Sequence, residues 1–174
     1  NNQENSSKYY AVLSMKPFMV ITKGSAIIDG DIAEWKDIPA SKLEVKSSSA
    51  LTTTAETKVS WDADNLYVML DVTDDALDAT ASDAYQQDST EIFIDELNEK
   101  SGSFDDNDKQ YRVSYKNRQT FNGTSCKAEN IVSATKEKED GKGYYIETAI
   151  KWTALSPEAG KLIGLDVQIN DAKD

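Results

Sequence analysis

The chain has 174 residues, 39% hydrophobic and 29% charged, and its 31 acidic and 19 basic side chains leave a formal net charge of −12. That length suits one domain with a real core, no apolar run approaches the ~20 residues of a membrane-spanning helix, and so negative a field repels nucleic acid and anionic membranes. With no histidine and a single cysteine, Cys126, the sequence can form no internal disulfide, no Cys/His zinc site and no histidine-activated nucleophile.

The acidity leaves room for calcium, which takes carboxylate oxygens, for neutral ligands such as sugars, and for a surface that simply keeps the protein dissolved. Residues 1–16, rich in Asn and Ser, read as a linker or N-terminal arm, and residues 17–174 as the folded domain. The start at Asn1 lacks a signal-like apolar segment, so the chain reads as a mature protein or an excised piece of a larger one.

Within the domain, Leu66, Val68, Leu70 and Val72 alternate with Tyr67, Met69 and Asp71, the period of a strand with one buried face. Ile92 and Ile94 alternate with Glu91, Phe93 and Asp95. Tyr111, Val113 and Tyr115 alternate with Gln110, Arg112 and Ser114, and Tyr144, Ile146, Thr148, Ile150 and Trp152 keep the same period. The run from Leu162 to Ile169 is strand-like again. Turn signals separate these runs at Asp29-Gly30, Asp62 to Asn65, Ser101-Gly102, Asn122-Gly123 and Asp140-Gly141. Helix formers are scarce, and Pro157 to Lys161 makes one short turn at most. The pattern predicts an all-β fold, an antiparallel β-sandwich in a single domain.

The segment from Asp74 to Asp95 concentrates the chemistry. Tyr85 is a loop aromatic just before a strand with the outward carboxylate Glu91, a reasonable platform for a sugar: pyranose C–H groups stack on a ring while charged side chains bond the hydroxyls. Tyr85 reads equally well as a loop tyrosine packed over the sandwich edge. Glu91 and Arg112 share the polar parity of their strands, so in one sheet they would meet as a pair, and an ordinary cross-strand ion pair is the simpler account. Asp74 and Asp88 flank the Tyr85 loop and could clamp it through a cation. The run Asp105-Asp106-Asn107-Asp108 lacks the glycine and terminal glutamate of an EF-hand and reads as a solvated turn.

An ordered series of blocks resembles a family 9 carbohydrate-binding module, the type appended to bacterial xylanases. The blocks are Ile28-Asp29-Gly30 with Ile32 and Trp35; Val59-Ser60-Trp61-Asp62 leading to Leu66-Tyr67-Val68; Asp88 to Asp95; Gln110 to Val113; Ala149 to Trp152; and Gln168 to Asp171. The resemblance implies an immunoglobulin-like sandwich of two antiparallel sheets, structural calcium, secretion by a bacterium, and binding of xylan or cellulose chain ends and small sugars on behalf of an attached glycoside hydrolase. It places Tyr85 where a stacking ring, usually tryptophan, falls, matches Glu91 and Arg112 to the polar pair, and puts Ser114 where asparagine is expected. It further implies a second stacking tryptophan in a stretch beyond Asp174, so that a chain ending there holds half of the clamp. A cell-surface interaction or assembly domain with a decayed sugar site is the alternative. A haem-carrying domain would want a histidine, and a small glycoside hydrolase has only the abundance of carboxylates in its favour.

Overall fold

The structure is a computed structural model that describes residues 19–44 and 51–172; the arm expected over residues 1–16 lies outside them. The strands are β1 (Thr22–Lys23), β2 (Ala40–Lys42), β3 (Thr54–Trp61), β4 (Asn65–Thr73), β5 (Ser89–Asp95), β6 (Asp108–Ser114), β7 (Gln119–Asn122), β8 (Ile131–Glu137), β9 (Tyr144–Lys151) and β10 (Gly164–Asn170). Among the described residues they form two sheets, one in the order β1-β3-β4-β9-β8 with β2 also on β3, the other β10-β5-β6-β7. Every pairing is antiparallel except the two-residue β1, which runs parallel to β3. The expected all-β sandwich is therefore observed.

Its core lies between the sheets. Leu66, Val68, Leu70 and Val72 of β4, with Tyr144, Ile146 and Ile150 of β9, face Ile92 and Ile94 of β5 and Tyr111 and Val113 of β6, all buried in one cluster. Each such side chain contributes about 1.5–3 kcal/mol by leaving water. Alternation in these strands is thus a direct record of which face meets the partner sheet. Where the β8–β9 hairpin enters β9, Gly143 has φ +122°, and a Cβ there would meet the Val72 carbonyl oxygen at 1.9 Å, so only glycine fits.

The strand β4 differs from the one-sided reading: Tyr67 and Met69, on its other face, are buried too. The segment before β2 covers them, its 3₁₀ turn Ala33–Asp37 setting Trp35 against Tyr67, Met69 and Ala149. Glu147 of β9 anchors this cover, accepting the Trp35 indole N–H at 2.6 Å and the Gly30 N–H at 2.6 Å. Burial raises the Glu147 carboxyl above its ordinary value despite those two bonds, with Glu34 and Asp29 adding to the rise.

A folded-state pKa above the unfolded one means that this group's contribution is complete below the unfolded value and is lost as pH rises through the folded one. Thermal melts of Glu147→Gln should therefore show a flatter loss of stability above pH 4.5 than the unsubstituted chain, with the two converging at lower pH. Parallel melting curves at every pH would contradict this.

Candidate functional site

Since Ile92, Ile94, Tyr111 and Val113 point into the sandwich, alternate residues of β5 and β6 point out of it. Register places Gln168 of β10, Glu91 of β5, Arg112 of β6 and Thr120 of β7 in one row across that outer face. The next row holds Asp166, Phe93, Gln110 and Asn122.

Glu91 is the hub. Its Oε1 accepts from Arg112 Nε at 2.9 Å, Arg112 Nη2 at 2.8 Å and Asn170 Nδ2 at 2.9 Å, and its Oε2 accepts from Gln110 Nε2 at 2.6 Å. Arg112 Nη1 in turn donates to Thr120 Oγ1 at 3.1 Å. Burial alone would raise the Glu91 carboxyl, but donation from Asn170, Gln110 and Arg112 holds it below the ordinary range, so it stays ionised. The result is a rigid guanidinium–carboxylate pair fixed from both sides. Oε2 accepts a single one of these bonds, so its remaining lone pair can take a ligand hydroxyl, and the flat pair is shaped for bidentate contact with neighbouring hydroxyls.

Tyr85 precedes β5 in the loop that follows β4. It lies in the 3₁₀ turn Ala84–Gln86, and its ring is 56% exposed. Ser89, on the outward parity of β5, ties the turn down: its hydroxyl donates towards the Ala84 and Gln87 carbonyls and accepts from Asn170 Nδ2 at 3.0 Å. Arg118 Nη1 also reaches the Ser82 carbonyl of the same loop at 3.5 Å. Ser114 lies differently. It pairs with Ser89 in register but is buried, with its Oγ accepting the Arg118 N–H at 3.1 Å inside the β6–β7 turn. Of the four residues singled out in the sequence, Glu91 and Arg112 meet on the outer face, Tyr85 is exposed in the turn ahead of β5, and Ser114 supports the β6–β7 turn.

Sequence reasoning did not assign Gln110, Thr120 or Asn170 a part in this network. Gln110 and Asn170 sat inside recognisable blocks, but contact with Glu91 depends on strand register, which no local pattern displays.

The second constellation is acidic. Asp74 at the end of β4, Asp88 at the start of β5 and Asp171 just after β10 bring carboxylate oxygens within 4.8 Å of one another, the first two buried and the third half-buried. Asp171 joins the pair named from sequence. Asp88 accepts the Ala172 N–H at 2.7 Å and the Asp78 N–H, Asp74 accepts the Ala76 N–H at 2.9 Å, and Asp171 accepts from the Thr53 hydroxyl. Burial pushes the Asp88 carboxyl up to about 6 against those bonds, and the charges of Asp74 and Asp171 add to the rise. The buried Tyr144 hydroxyl, which has no hydrogen-bond partner among the described residues, feels the same three carboxylates. Three converging carboxylates, two of them buried, repel one another without a cation, and an all-oxygen donor set of this charge suits calcium. The turn at Asp105–Asp108 closes on itself, Asp105 Oδ1 accepting the Asn107 N–H at 2.9 Å and Asp108 Oδ2 the Asp105 N–H at 2.9 Å.

Residues 28–174 match the family described as Carbohydrate family 9 binding domain-like. The chain is 40% identical over 181 residues to the endo-1,4-beta-xylanase A of Thermotoga neapolitana, and 36% identical over 178 residues to the exoglucanase XynX of Acetivibrio thermocellus. All of this chain is covered in both alignments, but it spans only 17% and 16% of the length of those proteins. Among solved structures, a family 9 carbohydrate-binding module from Caldicellulosiruptor kristjanssonii in complex with cellotriose is similar, with a TM-score of 0.81 and 32% identity over 87% of this chain and 75% of that one. The same is true of its complex with glucose, at a TM-score of 0.81 and 32% identity, covering 87% of this chain and 77% of that one.

Proposed function

The chain belongs to carbohydrate-binding module family 9, and from that premise we propose that the outer face of β10-β5-β6-β7 takes the end unit of a xylan or cellulose chain, or a small sugar, and so holds an attached glycoside hydrolase near plant cell wall. The observation that carries this is the fixing of Glu91 by Arg112, Gln110 and Asn170 on the outer face of a sheet whose strand β5 follows the loop that exposes Tyr85. Hydroxyls of a pyranose would bond to the charged pair while the C–H face stacks on the tyrosine. Calcium held by Asp74, Asp88 and Asp171 would tie the ends of β4, β5 and β10 together and so fix the loop that carries Tyr85. Cell-wall polysaccharide is met outside the cell, so the reading includes a secreted or cell-surface location, in a bacterium.

Titration calorimetry with glucose, cellobiose and xylobiose tests the reading. Tyr85→Ala should weaken binding about threefold to tenfold, the worth of one stacked ring, and Tyr85→Trp should match or exceed the original affinity. Indifference to Tyr85→Ala would remove the ring from the site. Absence of binding to all three sugars would favour the assembly-domain alternative.

A further inference from the structure

The acidic cluster and the charged pair are joined by a single rung of the β10–β5 ladder. Ser89, the first residue of β5, faces Asn170, the last residue of β10. The next residue outward on each strand, Asp88 on one and Asp171 on the other, carries one of the three converging carboxylates, and Asp74, just after β4, brings the third from the opposite sheet. The rung itself serves the outer face. Asn170 Nδ2 donates to Glu91 Oε1 at 2.9 Å and to Ser89 Oγ at 3.0 Å, and the Ser89 hydroxyl reaches the Ala84 and Gln87 carbonyls that close the Tyr85 turn.

Adjacent residues of an extended chain project to opposite sides. Ser89 shares the outward parity of Glu91, whereas Asp88 and Asp171 gather with Asp74 near Tyr144, a residue of the core. The Tyr144 hydroxyl is buried there, beside three carboxylates and with no hydrogen-bond partner among the described residues, a second sign that this corner is built for a further ligand. The rung is therefore the path between the two places.

A strand end is where pairing frays most easily. Without a cation, repulsion among Asp74, Asp88 and Asp171 pushes the ends of β4, β5 and β10 apart, and the Ser89–Asn170 rung is the first to loosen. With a cation, the same carboxylates are drawn together and the rung is held closed. Its closure puts the Asn170 amide on Glu91 and the Ser89 hydroxyl on the Tyr85 turn before any sugar arrives.

We propose that a divalent cation at Asp74, Asp88 and Asp171 and a sugar at Glu91 and Arg112 bind with positive linkage, transmitted by the Ser89–Asn170 rung. The inference rests on the functional reading above and deepens it, because it makes the affinity of that site depend on the cation. Linkage is reciprocal: whatever factor calcium adds to sugar affinity, sugar must add to calcium affinity. One rung at a strand end should give a factor of about fivefold to tenfold, at the lower end of the range for coupled sites.

Calorimetry on protein stripped of divalent ions tests this, with calcium titrated in the absence and presence of saturating cellobiose, and cellobiose titrated in the absence and presence of calcium. Both affinities should rise by the same factor. Asn170→Ala should still bind calcium, since it removes no carboxylate, but its linkage factor should fall towards one. Ser89→Ala, which cuts the rung without removing a bond to Glu91, should lower the factor partway. In sugar-free protein, calcium should also shift the nuclear magnetic resonance signals of the Asn170 side-chain amide and the Arg112 Nε–H. Cellobiose affinity that is the same with and without calcium, or a linkage that survives Asn170→Ala undiminished, would overturn the coupling and leave the sugar site intact. A chain that binds calcium but no sugar would overturn both.

Discussion

Arg112→Ala is expected to reduce saccharide binding to the edge of detection while leaving the sandwich folded. In the intact protein the guanidinium is fixed by Glu91 and Thr120 before any ligand arrives, so little conformational freedom is lost on binding. The charge-assisted bonds that the guanidinium would make to ligand hydroxyls are worth about 1.5–3 kcal/mol, or roughly tenfold to 150-fold in Kd. Glu91 would retain its bonds from Gln110 and Asn170, which is why the fold should tolerate the change. Arg112→Lys keeps the charge and loses the planar fork, so it should recover only a fraction of the affinity. Calorimetry alongside thermal melts separates the two effects: near-normal melting with lost binding is the expected pattern, and near-normal binding by Arg112→Ala would exclude the charged pair from the site.

Calcium is the second large effect. An ion bound only by the native state at a hundredfold its dissociation constant adds about 2.7 kcal/mol. For a domain of this size that is roughly 5–11 °C in Tm. Protein stripped of divalent ions should therefore melt markedly lower than the same protein with excess calcium. Asp88→Asn gives the sharper contrast. It removes one ligand and one of three converging negative charges, so the variant should lose its response to calcium, yet melt no lower than the unsubstituted chain when both are metal-free. A stripped protein whose Tm does not move with calcium would rule out a cation at this cluster.

Much of the sandwich was legible because its central strands bury one face completely. In β4, β5, β6 and β9 the alternation of Leu66 to Val72, Ile92 and Ile94, Tyr111 and Val113, and Tyr144 to Ile150 is the core itself. Edge strands were harder to see. At the sheet edges, β7 and β8 carry few buried side chains, Ile131 being the buried one in β8, so no period survives in their sequences. In β3 the inward set includes Ala55 and Thr57, too small or polar to stand out beside Val59. Tyr67 and Met69 looked solvent-facing because their cover, Trp35, comes from a 3₁₀ turn ahead of the strand.

The site divides in the same way. Parity within single strands was enough to suggest Glu91 and Arg112 as partners. The rest of the network was hidden because it depends on which strands adjoin. Asn170 reaches Glu91 from 79 positions further along the chain, and Asp171 joins Asp74 and Asp88 only because β10 lies beside β5. Ser114 followed the outward parity of β6 and yet is buried, since the β6–β7 turn claims its hydroxyl at the end of the strand.

The central claim is that sugar binds on the outer face of β10-β5-β6-β7, at Tyr85, Glu91 and Arg112. Nuclear magnetic resonance titration of isotope-labelled protein with cellobiose tests it most directly, following backbone amides together with the Arg112 Nε–H and the side-chain amides of Gln110 and Asn170. Concerted shifts of those side-chain signals and of the amides around Tyr85, with the Trp35 face of the other sheet unmoved, are the predicted result. Shifts confined to the other sheet, or binding that leaves the Arg112 Nε–H where it was, would contradict the account.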